Sequence, residues 1–467
     1  MRHLNYLSVA ILSLAISGCS TLSHLKAGTP DIIIKEATSQ GITDMPNTWQ
    51  VALARAGNVQ IGWINALGDP ILSNLVKKAQ VNNRNLQIAA ANVERSRALV
   101  RQAGIGLKPN VGLSTSTKRQ VFIDGPAPDT ASFNWGVKAS WEVDIWGRIK
   151  SGEKAVIASA QSAEADYRAS QHSIAAAVAS AYFIGMEAWL QAGVARKTLK
   201  TLSKTNKIVN VQYKEGIATA QDVALSASDL AATRASLVAA EGAYRDAKKA
   251  LQVLIGRYPD GDLALSKSLP VIPSMPASGI PSELLERRAD IVAAERKVAA
   301  SFYSLDQAKV ANMPRFSLSG NTGGASSQLL NMLNPNNVLL NVAGSISYFL
   351  FDGGLTKYKI EQAKAEQKQA LASYEQTLLT AFQEVETSLD QIGVLRDRAA
   401  ALREAAEQAN KALHIVRLRY NEGETDLIDV LTIQQRVFTA ESNLVSAQRA
   451  RLDEWIDLNL ALGGSWE

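Results

Sequence analysis

The chain has 467 residues, only 6% of them aromatic, and its long interior segments are rich in Ala, Gln, Glu, Lys and Arg, a composition that favours extended helix over a bulky globular core. Its length would house about two to three ordinary domains. The formal charge of +5 comes without a concentrated basic block, which argues against a nucleic-acid partner.

Residues 1–19, MRHLNYLSVAILSLAISGC, place Arg2 before an apolar run at 7–16 and small residues before Cys19, the layout of a secretory signal peptide. The run is too short to span a bilayer. The ending ISGC resembles a bacterial lipobox, so 1–18 is expected to be removed and Cys19 to carry diacylglycerol on sulfur and an acyl chain on its new amino terminus. Those chains exceed the two signals that stable anchoring needs. No other cysteine is available to pair with Cys19. Ser20, where Asp would favour inner-membrane retention, points to the outer membrane. Residues 19–68 read as a lipid-anchored, irregular segment.

From residue 69 the chain repeats itself. LKPNVGLS at 107–114 answers NMPRFSLS at 312–319, QYKEGIATAQDV at 212–223 answers RYNEGETDLIDV at 419–430, and ALQVLIG answers LNLALG at the ends. The landmarks Pro109 and Pro314, Gly147 and Gly353, and Gly216 and Gly423 hold a nearly constant offset of about 206 residues, the mark of duplicated architecture. Repeat 1 spans 69–256 and repeat 2 spans 282–467. Each reads helix, strand, strand, very long helix, glycine turn, helix.

The first helix of repeat 1 starts at GDPILSNL, with Asp69 as cap and Pro70 at the first helical position; Ser282 is expected to cap ELLERRADIVAAERKVAA in repeat 2. The next segments alternate. Phe133, Trp135, Val137, Ala139, Trp141 and Val143 share one face against Asn134, Gly136, Lys138, Ser140 and Glu142. Leu340, Val342, Gly344, Ile346, Tyr348 and Leu350 repeat the pattern, with shorter partners at 111–121 and 316–322. Strands of about ten residues bearing aromatics suit a tilted membrane crossing, and a half-buried antiparallel sheet alternates in the same way.

Two proline-free runs follow, 150–215 and 355–422, each on the order of 100 Å as helix. Their apolar residues step by four and three, as in Leu395, Ala399, Leu402, Ala406, Ala409, Leu413, Val416 and Tyr420, the spacing of a coiled coil. Gly216 and Gly423 supply left-handed turns, and helices return over 217–255 and 425–462. Pro259, Pro270, Pro273, Pro276 and Pro281 make 257–281 a linker between the repeats. The irregular segment before residue 68 is expected to pack with it against the helices.

Four membrane strands leave two edges whose backbone groups would go unpaired in lipid, so other copies must close the barrel. A dimer, trimer or tetramer would do so equally on periodicity alone.

WEVDIWGRIK at 141–150, LFDGGLTKY at 350–358, IPSELLERRADIVAAE at 280–295 and NMPRFSLSG at 312–320 closely resemble the signatures of TolC-type outer-membrane efflux channels, particularly their lipoprotein branch, from about residue 66 to the end. Ala289 departs from the Pro that the family commonly carries there. The resemblance implies a mainly α protein with membrane β: a homotrimer whose protomers each give four strands to a twelve-stranded barrel, above a periplasmic coiled-coil helical barrel. Its partners would be a periplasmic adaptor, an inner-membrane pump of the resistance-nodulation-division class, and outer-membrane lipids. The cargo would be drugs or other small molecules. A protein-secretion conduit, or a lipid-anchored adaptor with one hairpin and small β domains, are the competing readings.

No catalytic constellation is present, and His3, His24, His172 and His414 show no metal-ligand spacing, so no enzyme and no cofactor are expected. The resemblance puts Tyr213, Gly216, Gly423 and Thr425 at partner-contacting hairpin tips on the periplasmic mouth. Asp429 matches a lumen-facing carboxylate that would form a cation-favouring ring; Asp426 is one turn earlier and stands in for the family's second acid, where this chain has Thr432. Both acids also suit the positive end of a helix. Tyr420 and Asp222 match a pair in which the phenol donates to the carboxylate of the neighbouring hairpin, with Thr425 in place of a companion arginine. The second hairpin is expected to control the aperture and the first to brace it.

Overall fold

The computed structural model describes residues 48–51, 62–121, 123, 128 and 130–466; the expected signal peptide (1–18), Cys19 and most of the expected irregular segment lie outside the described residues. Each repeat opens on short helices. Helix α1 (Pro70–Asn82) begins as its sequence dictates, with the Asp69 carboxylate accepting from the N–H groups of Ile71 and Leu72 and Pro70 at the first position. The chain then breaks at Asn83. Its side chain caps α2 (Arg84–Ile105) by accepting from Asn85 and Leu86, while its amide donates to the Leu254 carbonyl at 2.8 Å.

Strands β1 (Asn110–Gln120) and β2 (Thr130–Val143) form the first hairpin, followed by α3 (Arg148–Lys214, 67 residues) and α4 (Ala220–Leu254, 35 residues). In repeat 2, α5 (Ala289–Lys309) precedes β3 (Arg315–Ser326) and β4 (Val338–Ser347), then α6 (Leu355–Asn421) and α7 (Leu427–Ala461), again 67 and 35 residues. At ~1.5 Å per residue both long helices run about 100 Å. The two hairpins, rather than one, and the four strands exclude the adaptor reading.

Ser282 does not cap the repeat 2 helix. Residues Pro281–Glu283 form a 3-10 turn, Leu284–Arg287 one helical turn, and the backbone is extended at Arg288 (φ −77°, ψ 118°) before α5 starts. The Arg288 guanidinium explains the break. It reaches Asp290 at 2.7 Å locally, and Glu384 at 2.6 Å and the Ala461 carbonyl at 3.2 Å, two contacts that only tertiary structure supplies. Ala289 takes the first helical position, where proline fits best.

The sheet is antiparallel in the order β1-β2-β3-β4. Its register sets Leu113, Val137, Thr322 and Leu340 in one row and Gly112, Lys138, Asn321 and Asn341 in the next, so the alternation of all four strands is in phase. Strand β3 runs beyond the expected Thr322 because Gly323 and Gly324 let it lie close on β2: a Cβ at Gly323 would stand 2.0 Å from the Trp135 carbonyl oxygen. Strand β4 stops at Ser347, short of the expected Leu350, since its last partner is Arg315 and Pro314 before it has no N–H to offer.

Where strands become helices, Asp144 accepts from the N–H groups of Ile149 and Lys150. Asp352 does the same for Gly354 and Thr356, and the Thr356 hydroxyl and N–H hold its carboxyl below the usual range. The indole of Trp146 donates to the Pro314 carbonyl at 2.7 Å and ties the two hairpins together.

Helix α3 packs along α4, α2 and α5, and α6 packs along α7 and α5. The core sits at mid-length, around Trp63, Leu72, Tyr182, Phe183, Met186, Leu251 and Trp455. The Tyr182 hydroxyl donates to Asp69 at 2.7 Å and accepts from the Ser266 N–H at 3.2 Å, joining long helix, first cap and linker. Trp49 donates to the Ser278 carbonyl at 3.1 Å and packs edge-on to Phe382, so the described residues 48–51 do lie on the linker and α6.

Candidate gate at the hairpin tips

Both tips are built by the same local chemistry. Gly216 (φ 75°) and Gly423 (φ 76°) adopt the left-handed conformation that ends α3 and α6. The Gly216 N–H donates to the Tyr213 carbonyl and that of Ile217 to Gln212; the Gly423 N–H donates to Tyr420 and that of Glu424 to Arg419, a Schellman pair in each copy.

The returning helices begin differently. Thr219 and Asp222 form a reciprocal capping box at α4: the Thr219 hydroxyl accepts from the Asp222 N–H, and the Asp222 carboxylate accepts from the Thr219 N–H at 2.9 Å and its hydroxyl at 2.8 Å. Asp426 occupies the cap position of α7 but makes no side-chain cap bond. Thr425 instead donates its hydroxyl to Asp429. Asp426 and Asp429 are both exposed, as are Glu422 and Glu424, with Arg419 3.4 Å from Glu424.

Leu202 and Val209 of α3, Val223 and Leu230 of α4, Leu427 and Leu431 of α7, and Tyr420 share one apolar cluster, so the two tips of a protomer lean on each other. The Tyr420 hydroxyl crosses between hairpins. Its acceptor is Gln212 Oε1 at 2.7 Å, not Asp222, whose carboxylate is committed to Thr219. Burial raises the Tyr420 pKa, and the Asp222 charge nearby raises it further, so the phenol stays a donor. Gln212 was not singled out from sequence; its position one residue before the doubled tyrosine was the available signal.

Tyr213, the repeat 1 counterpart of Tyr420, is exposed, as are Ile217 and Ile428 at the turns. Gln434, two turns into α7, is buried with neither amide atom hydrogen-bonded. Among the described residues, no three His, Cys, Asp or Glu side chains gather as metal ligands.

A sheet with one apolar face and two open edges, continued by paired 100 Å helices, defines a subunit of a membrane channel. The family model described as outer membrane efflux protein matches residues 75–257 and 280–464, and the chain belongs to that family. The cation efflux system protein CusC of Escherichia coli is 27% identical over 460 residues, covering 98% of each chain. The pyoverdine export outer membrane protein OpmQ of Pseudomonas aeruginosa is 28% identical over 439 residues, covering 90% of this chain and 91% of its own. The solved outer-membrane channel OprN superposes with a TM-score of 0.84 at 28% identity, covering 91% of this chain and 98% of that one.

Proposed function

We propose that three copies of this chain close into a twelve-stranded barrel in the outer membrane above a helical tunnel, a passive conduit for small molecules leaving the cell. A periplasmic adaptor and a resistance-nodulation-division pump of the inner membrane would engage the tips around Tyr213, Gly216, Gly423 and Thr425. Diacylglycerol and an N-acyl chain on Cys19 would anchor each copy to outer-membrane lipid, and the transport itself needs no cofactor and no enzymatic step. The observation that carries this reading is the four-stranded sheet: β1 and β4 are open edges, and Leu113 and Leu340, at the two ends of one apolar row, are 77% and 74% exposed. Edges of that kind are stable in lipid only when another copy pairs with them.

Control of the mouth would rest on Tyr420, bonded to Gln212, as the closing contact, on Asp426 and Asp429, whose charges push the copies apart, and on Asp222 through its Thr219 capping box. The exposed Ile217 and Ile428 give the tips apolar surface for a partner helix pair. The test is reconstitution of the full chain in planar bilayers, with chemical cross-linking in outer membranes. Discrete conductance steps and a trimer ladder are expected; a cross-linked dimer or tetramer would overturn the stoichiometry, and absence of conductance the channel.

A further inference from the structure

The polar face of the sheet carries a charge that no ion pair among the described residues neutralises. Lys138 lies midway along β2, opposite Gly112 on β1 and Asn321 on β3, with Asn341 next in the row. Along its own strand the same-face neighbours are Gly136 and Ser140, so no acid and no long side chain stands beside it. Lys138 is exposed, and no ion pair holds it among the described residues. Its face is the hollow one: Ser114, Ser116, Asn134, Lys138, Asn321 and Asn341 line a single depression, while the apolar row lies on the other side. Strand β2 is interior to the sheet, so closure between copies at β1 and β4 leaves these neighbours unchanged.

The rest of that face adds to the sign. Lys118 lies on it toward the hairpin turn and Arg315 at the helix end. Glu142 is the one acid on the four strands, and Arg148 pairs with it at 2.8 Å.

We propose that Lys138 is a selectivity residue of the barrel, forming a ring of three ammonium groups that favours small anionic solutes, those bearing carboxylate, sulfonate or phosphate. This rests on the three-copy closure above. Twelve strands ~4.7 Å apart and tilted ~40° give a backbone radius of about 12 Å. An extended lysine then brings its ammonium to about 6 Å from the axis, inside the Debye length of ~8 Å at physiological salt, so no path through the section escapes the field. The acids of the tips lie on helices that part when the mouth opens; the barrel wall is hydrogen-bonded throughout and keeps its geometry. In the open state the barrel therefore sets the charge preference.

The experiment uses the full chain in planar bilayers under a KCl gradient, with Glu422→Gln, Glu424→Gln, Asp426→Asn and Asp429→Ala combined as background to neutralise the acids exposed at the second tip. Three charges about 6 Å from the axis, screened in water, favour chloride over potassium about fivefold or more. Lys138→Gln should erase most of that preference, Lys138→Glu should invert it, and Lys138→Arg should retain it. The preference in the background channel itself should fade between ~0.1 M and ~1 M salt as the Debye length falls from ~10 to ~3 Å, which tests the field without touching Lys138. Conducting channels whose reversal potential ignores Lys138→Gln and Lys138→Glu, or a preference unchanged by salt, would overturn the inference and leave the channel reading intact. Failure of the native chain to conduct would instead remove the channel reading.

Discussion

Tyr420→Phe deletes one oxygen, and with it the bond that joins α6 of the second hairpin to α3 of the first at 2.7 Å. Phenol and amide are both neutral, so the bond contributes about 1 kcal/mol, less than the charged pair with Asp222 would have. In the proposed trimer three copies acting together would hold the closed mouth by about 3 kcal/mol, which is more than a hundredfold in the closed-to-open ratio. Single-channel recording should show Tyr420→Phe dwelling in a higher-conductance state. Gln212→Ala should do the same, and combining the two should add little, because both remove one interaction. Asp222→Asn acts through the Thr219 capping box, so it should loosen the start of α4 without matching the Tyr420 effect. The reasoning fails if Tyr420→Phe conducts like the native chain while Asp222→Asn opens it.

Three further outcomes are expected. Asp429→Ala should lower cation preference in a salt gradient, and an unmoved reversal potential would remove Asp429 from the lumen. Burial and the Asp69 carboxylate push the Tyr182 pKa from 10.0 up to about 12, so its contribution to stability is complete below pH ~10 and is lost as pH rises toward 12. Thermal melts followed by circular dichroism should show that alkaline loss in the native chain and a smaller one in Tyr182→Phe; equal losses would refute it. Gly323→Ala drives a Cβ onto the Trp135 carbonyl and should abolish the cross-linked trimer, whereas Gly112→Ala meets open space and should assemble; survival of the first would contradict the β2–β3 register.

What was legible in the sequence was local. Asp69 with Pro70, the two left-handed glycines and the strand alternation are each fixed by chemistry within a few residues, and the structure places them as expected. The long helices begin and end within two residues of the proline-free runs. What was missed depends on groups far along the chain. Asn83 breaks the first helix because its amide meets the Leu254 carbonyl, and Arg288 delays α5 because Glu384 and Ala461 hold it. Gln212 is of the same kind: its bond to Tyr420 spans 208 residues, and no periodicity in α3 marks it.

The equality of the repeats gives the differences their meaning. Helices of 67 and 35 residues in both halves bring the two turns to the same depth, so any division of labour must come from the few side chains that differ there. The first tip is closed on itself by the Thr219–Asp222 box and offers Gln212 outward as an acceptor. The second has no side-chain cap at Asp426, and it exposes Glu422, Glu424, Asp426 and Asp429 together. Carboxylates gathered from three copies would repel, and at each turn Arg419 stands 3.4 Å from Glu424. In the proposed trimer the second tip would thus be pushed outward by its own charge and held inward by Tyr420, against a first tip whose helix start is locked. On that reading a partner would need only to replace the Gln212 bond for the repulsion to open the mouth.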